Sequence, residues 1–229
     1  MRHIFLRYIK ALYDFIQGFF CLTANQKKKG FDYMSNKRNK KVFNITLIAV
    51  MTAIASIIYM IFPEINIIPG VSYMKIDFSD FPAILTGIVF GPWQGVMVMF
   101  IKNLIHLAKT TTVGIGEIMN FVVGSGIVLS MSFFTKLFAK LFKEKKFSAK
   151  TYILTSIITI MITIILGWIS NMIFTPIFFK LMGIPLVEEA YWAGVFGSTA
   201  LNTVKALFNV LPFYPVYLIV EKSIKKYNM

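Results

Sequence analysis

The sequence predicts an all-α integral membrane protein: a bundle of six transmembrane helices with both termini in the cytoplasm. Three observations lead there. Of 229 residues, 57% are hydrophobic and only 15% charged, with a mean hydropathy of +0.69, more apolar material than a soluble domain can keep away from water. The apolar residues fall into long stretches with short polar connections, and Lys and Arg gather in alternate connections. A span needs about 20 mostly apolar residues, so the chain holds about six and leaves no room for a sizeable soluble domain.

The apolar stretches run from Val42 to Phe62, Phe78 to Gly91, Pro92 to Leu107, Gly116 to Phe138, Tyr152 to Leu181 and Tyr191 to Val220. The second and third are short and meet at Gly91-Pro92, so they read either as one broken helix or as two. Charge decides between the two readings. Lys37, Arg38, Lys40 and Lys41 precede the first span, and Lys136, Lys140, Lys143, Lys145, Lys146 and Lys150 surround the connection after Phe138. Basic clusters stay inside, and only an even number of crossings between them satisfies both. Gly91-Pro92 is therefore a tight cytoplasmic turn, and six spans follow. The same count returns Lys222, Lys225 and Lys226 to the cytoplasm. The outer side receives the Pro63 to Asp77, Lys109 to Ile115 and Lys180 to Glu189 loops, all poorer in Lys and Arg.

Residues 34–229 form the membrane domain in this reading, and residues 1–33 stand apart. Ile4 to Leu22 is amphipathic and carries Arg2, Arg7, Lys10 and Asp14 around it, too polar for a comfortable span; an interfacial helix is one reading. The preferred one is a leader or mis-assigned start. Lys27-Lys28-Lys29-Gly30 requires a purine-rich coding run shortly before the Met34 codon, as a ribosome-binding site would, and Met34-Ser35 followed by basic residues is a normal membrane-protein beginning.

The net charge of +14 sits in blocks between apolar segments, which argues for topology signals and against a nucleic-acid surface. Cys21 is the single cysteine, so no intrachain disulfide and no Cys-rich metal site can form. His3 and His106 are the only histidines. H-E-x-x-H, G-x-S-x-G and the P-loop pattern are all missing, so an enzyme is not expected, no metal is expected, and any ATP-driven work needs a partner.

Ionisable and amide side chains within spans are informative, because a charge at mid-bilayer costs at least about 2.5 kcal/mol. Lys205 lies well inside the last span, three residues after Asn202, which puts both on one helix face. Asn171 adds a second amide from the fifth span. Together they offer donors and acceptors for a flat, heteroatom-rich solute. The bland alternatives are interhelical hydrogen bonds for the amides and snorkelling for the lysine. Lys102 and His106, one turn apart, fit an interfacial or structural role at least as well as ligand contact. Ala49-x-x-x-Ala53, Gly87-x-x-x-Gly91 and Gly91-x-x-x-Gly95 are small-residue faces for close packing, within the bundle or, for the alanines, against another subunit. Tyr73 and Met74, in an outer loop, can close over a ring system. Pro176, Gly183 and Pro185 read as the end of the fifth helix and its loop.

Three stretches carry a resemblance: Lys75-Ile76-Asp77-Phe78-Ser79-Asp80-Phe81-Pro82-Ala83, Ile101-Lys102-Asn103-Leu104-Ile105-His106-Leu107, and Gly114-Ile115-Gly116-Glu117-Ile118-Met119-Asn120-Phe121. In this order and spacing the chain, from about Met34 onward, resembles the riboflavin-binding S components of energy-coupling factor (ECF) vitamin transporters. The resemblance implies a multi-pass cell-membrane subunit, without a cofactor, that captures riboflavin from outside as transported ligand. Its implied partners are a transmembrane coupling subunit and two cytoplasmic ATPases. By the same resemblance Asn171, Asn202 and Lys205 supply polar contacts to the vitamin, with Tyr73 as loop candidate. Ala49 and Ala53 meet the coupling subunit. Glu117 and Asn120 reach the ribityl hydroxyls or, equally, cap their helix. An S component for another vitamin and a stand-alone secondary transporter are the alternatives; the latter would show inverted repeats, and none is evident.

Reporters fused to either terminus are expected to signal from the cytoplasm, and an extracellular signal from one of them would overturn the topology.

Overall fold

A computed structural model of the chain describes residues 37–61, 65–66, 75–76, 78–110, 112–143, 148–183, 185–215 and 218. Residues 1–33, Tyr73 and Met74 lie outside the described residues. Six α-helices of nine residues or more occur among them: α1 Lys37–Ile61, α2 Phe81–Val89, α3 Pro92–His106, α4 Ile115–Leu141, α5 Ala149–Leu181 and α6 Glu188–Val210. Between α1 and α2, β1 (Ile65–Asn66) pairs antiparallel with β2 (Lys75–Ile76), Ile65 opposite Ile76. A 3₁₀ turn, Leu107–Lys109, follows α3. The chain divides into a unit Thr46–Leu211 and a second unit of Met1–Ile45 with Pro212–Met229. Within the first, α2 and α3 pack on each other and both on α4, α4 packs on α5, α5 on α6, and α6 on β2.

Two separate helices meet at Gly91-Pro92, and the local chemistry explains the break. Gly91 has φ +139°, a conformation open to glycine and strained for other residues, and Pro92 opens α3 where its missing N–H costs nothing. α3 then folds back along α2. A Cβ on Gly95 would stand 2.6 Å from the Ala83 carbonyl oxygen and 2.8 Å from Gly87 Cα, so both glycines are used for backbone approach inside the bundle.

The helices differ in length from the apolar stretches. With a rise of 1.5 Å per residue, α2's nine residues extend about 13 Å, less than half of a hydrocarbon core about 30 Å thick. Among the described residues two helices, α4 and α5, are long and apolar enough to cross a membrane. α1 starts at Lys37, so its basic residues lie within the helix; Lys and Arg are good helix formers. α6 starts at Glu188, where acidic residues suit the helix dipole. It ends at Val210, because Pro212 has no N–H for the Phe208 carbonyl; the single stretch expected to reach Val220 is interrupted there.

Pro176 corrects an expectation. It does not end the fifth helix but lies inside α5. Proline cannot bond the carbonyl four residues back, that of Met172, and the Tyr191 hydroxyl donates to this oxygen at 3.4 Å. The helix instead stops at Gly183, whose φ is +67°.

The distribution of polarity is inverted relative to a soluble protein. On α5, Thr151, Thr155, Thr159, Thr163, Asn171 and Thr175 recur at four-residue intervals, or multiples of four, and are buried, while Ile153, Ile157, Met161, Trp168 and Ile173 are exposed. Residues four apart share a helix face, so α5 turns hydroxyls inward and branched apolar groups outward. Exposed apolar surface on this scale calls for a nonaqueous surrounding.

Gly95→Val is expected to overpack the α2–α3 contact and destabilise the protein by about 1–3 kcal/mol, read as a lower thermal midpoint in detergent; an unchanged midpoint would contradict the close approach.

Candidate functional site

The site is built around a carboxylate. Asp80 stands immediately before α2 but its side chain makes no cap hydrogen bond; Pro82 already removes one of the N–H groups a cap would satisfy. The carboxylate is fully buried, as is Lys102 of α3, at 0% exposure each. Lys102 donates to Asp80 Oδ1 and, at 2.7 Å, to Ser79 Oγ. From α6, Lys205 Nζ comes within 3.2 Å of Asp80 Oδ2. One carboxylate thus faces two ammonium groups from two helices. Desolvated charges of this kind survive only when paired.

Lys205 also donates to Asn120 Oδ1 of α4, at 2.6 Å. Asn120 Nδ2 donates to Asn103 Oδ1 at 2.7 Å, and Asn103 Nδ2 donates to the Met99 carbonyl at 2.8 Å. Donor–acceptor order along this chain orients every amide. The segment before α2 and helices α3, α4 and α6 converge here.

A second cluster adjoins it one turn away on α3 and α4. His106 Nδ1 lies 3.0 Å from Glu117 Oε1, and Glu117 Oε2 accepts from the hydroxyls of Thr110, at 2.9 Å, and Thr112, at 3.3 Å. Thr110 Oγ1 accepts in turn from the backbone N–H of Thr112 and of Gly114. Glu117, in the first turn of α4, therefore sews the α3–α4 connection to that helix, at the end where a carboxylate is favoured. Tyr59 of α1 stacks on His106, with ring centroids 3.7 Å apart, and its ring lies 5.0 Å from Lys102 Nζ.

The third group lies between α5 and α6. Asn171 is fully buried and its Nδ2 donates to Thr199 Oγ1 at 3.1 Å, while Asn171 Oδ1 has no hydrogen-bond partner among the described residues. Asn202, one turn beyond Thr199 on α6, packs over Gly167, 3.4 Å from where a Cβ would stand. A buried carbonyl oxygen without a donor costs about 1–3 kcal/mol, which a donor on a bound solute would offset.

Of the residues singled out in the sequence, Lys205 and Asn120 are in direct contact, and Asn171 and Asn202 share the α5–α6 seam with Thr199 between them. Glu117 is engaged with His106 and the threonines. Ala49 and Ala53 are exposed on α1, with Ile57, while Leu47, Met51 and Ala55 on the other side are buried. Lys102 is buried, not interfacial. Asp80, Asn103 and Tyr59 were not singled out for the site, although Asp80 is a charge in an apolar stretch and the argument applied to Lys205 applies to it. Among the described residues no group of His, Cys, Asp and Glu can hold a metal ion. The arrangement can bind and orient a neutral, hydrogen-bonding solute.

Asp80→Asn is expected to destabilise by about 3–5 kcal/mol, because it leaves two buried ammonium groups without their carboxylate; Lys102→Met, which leaves Asp80 paired with Lys205, is expected to cost clearly less by thermal unfolding in detergent.

The profile of the ECF transporter, substrate-specific component, matches residues 43–217. The riboflavin transporter FmnP of Bacillus subtilis (strain 168) is 33% identical over 101 residues, 42% of this chain and 51% of that protein. The riboflavin transporter RibU of Staphylococcus aureus (strain TCH60) is 30% identical over 97 residues, 42% of this chain and 49% of that one. The chain thus spans about half the length of these relatives. A solved structure described as the S component of a bacterial ECF transporter superposes over 81% of this chain and 99% of its own, with a TM-score of 0.62 and 24% identity, a likeness of fold.

Proposed function

The chain belongs to the family of ECF transporter substrate-specific components, transport proteins and not enzymes, and from that premise we propose that it is the riboflavin-binding subunit of an ATP-driven importer in the cell membrane. The observation that carries this reading is the wired set of buried polar groups, Lys205 on Asn120 and Asp80 and Asn171 with an undonated carbonyl, inside helices whose outer faces are apolar. Such groups are costly at lipid depth and mark solute sites. A flavin ring presents carbonyls and ring nitrogens to an ammonium and amides, and apolar area to the surrounding side chains. The names of the riboflavin transporters among its relatives support the same ligand.

Asn171, Asn202 and Lys205 contact the vitamin in this proposal, Asn120 orients Lys205, and Tyr73 is a further candidate contact. Glu117, being engaged at the α3–α4 connection, reaches the ribityl chain only if a ligand draws it from His106. With both termini inside, as the basic clusters lead one to expect, the α3–α4 connection and this site lie toward the outer face in this proposal. Transport then requires a coupling subunit and two ATPases, and the exposed Ala49, Ala53 face of α1 is the surface offered to the coupling subunit; small residues there permit close helix contact.

Purified protein is expected to quench riboflavin fluorescence on binding, with thiamine, folate and biotin failing to compete; absence of riboflavin binding at micromolar concentration would refute the reading, and displacement by another of these vitamins would reassign the ligand. Ala49→Leu with Ala53→Leu is expected to abolish uptake in cells carrying the coupling module while leaving riboflavin affinity within about twofold, since overpacking acts at the contact it occupies; uptake by vesicles holding this chain alone would instead support a secondary transporter.

A further inference from the structure

We propose that Asp80, held by Lys102, is a positioning residue for solute binding: it aims the Lys205 ammonium and does not itself touch the ligand. The inference rests on the functional reading above, because it assigns Lys205 to the solute.

Geometry carries it. The two oxygens of Asp80 are divided between two lysines, Oδ1 to Lys102 and Oδ2 to Lys205 at 3.2 Å. Lys102 is itself anchored to Ser79 and lies near the face of Tyr59, so the Asp80–Lys102 pair is fixed by its own surroundings. An ammonium has three N–H directions set tetrahedrally. Asn120 Oδ1 takes one of them, and the charge of Asp80 Oδ2, an ion-pair contact at 3.2 Å, holds the ammonium in place from a second side. Asn120 cannot do this alone, because its amide is already oriented by Asn103 and supplies one direction only.

The division of Asp80 also sets the strength of its hold on Lys205. A carboxylate that had Lys205 as its one cation would draw it into a closer pair and compete with a ligand carbonyl. Lys102 takes the hydrogen bond to the carboxylate, leaving Lys205 in an ion pair at 3.2 Å, from which it can serve both Asp80 and a solute. Residues 79–80, Lys102 and Lys205 sit on three separate segments, so a precise arrangement of the packed bundle is needed to produce this.

The test is a double-mutant cycle on riboflavin affinity, measured by fluorescence titration of purified full-length protein whose folding is verified by thermal unfolding. Asp80→Asn is expected to weaken riboflavin more than tenfold in the otherwise unchanged protein and less than twofold in a Lys205→Gln background. Should Lys205→Gln bind too weakly to titrate, Lys205→Arg serves as the background, with the penalty of Asp80→Asn expected to fall by at least a factor of three. Asp80→Asn with Lys102→Met, which leaves one buried ammonium without a carboxylate instead of two, serves where the single variant does not fold, with the same expectation. A penalty that is the same in both backgrounds would overturn the proposal, because it would mean Asp80 acts through the general structure or by direct ligand contact; so would an unchanged affinity. Failure of the parent protein to bind riboflavin would sink the functional reading alone, and the same cycle on whichever competing vitamin binds would still decide the positioning role; no binding of any of them sinks both.

Discussion

A single buried carboxylate shared between two ammonium groups is the constraint on which the interior of this bundle depends. Asp80 has no exposure and meets Lys102 and Lys205, and any of the three left without the others would be an unpaired charge in an apolar interior. Attraction between them is strong at low dielectric, and so is the penalty for misplacement. Their segments, the turn before α2, α3 and α6, are therefore held in one relation. Backbone packing cooperates: the glycine contact between α2 and α3 brings Asp80 and Lys102 within reach.

From this centre the hydrogen-bond chain runs through Asn120 and Asn103 to a helix carbonyl. Each amide is oriented by its neighbours, so a solute bound as proposed would meet a network already ordered, with little ordering left for binding to oppose. The His106–Glu117 cluster with its threonines acts differently. It ties a connection to the start of α4, and its carboxylate is directed at local hydroxyls and a ring nitrogen. Glu117 and Asn120 are three residues apart on one helix, yet they belong to different networks.

The inversion of polarity explains why such networks form. When the exterior is apolar, hydroxyls and amides have no water outside to turn to, and the interior collects them. α5 does so at four-residue spacing for most of its length, with a proline tolerated near its C-terminal end because a tyrosine from α6 bonds the freed carbonyl. A soluble helix with that sequence would expose the threonines and bury the isoleucines.

The sequence by itself determined the helical architecture, the division at Gly91-Pro92 and the close-packing role of the glycines, because these follow from apolar length and backbone stereochemistry, both local quantities. Lys102 and His106 were noticed but not placed, and Asp80 was read only as part of a motif. What the tertiary structure decided was partnership: which carboxylate meets which ammonium, that Asn120 turns its oxygen to Lys205, that Pro176 stays within a helix, and that α2 is only nine residues long. Those outcomes depend on segments 22, 85 and 19 positions apart in the chain being brought into contact, and the periodicity of a single helix carries no information about the neighbour it will face.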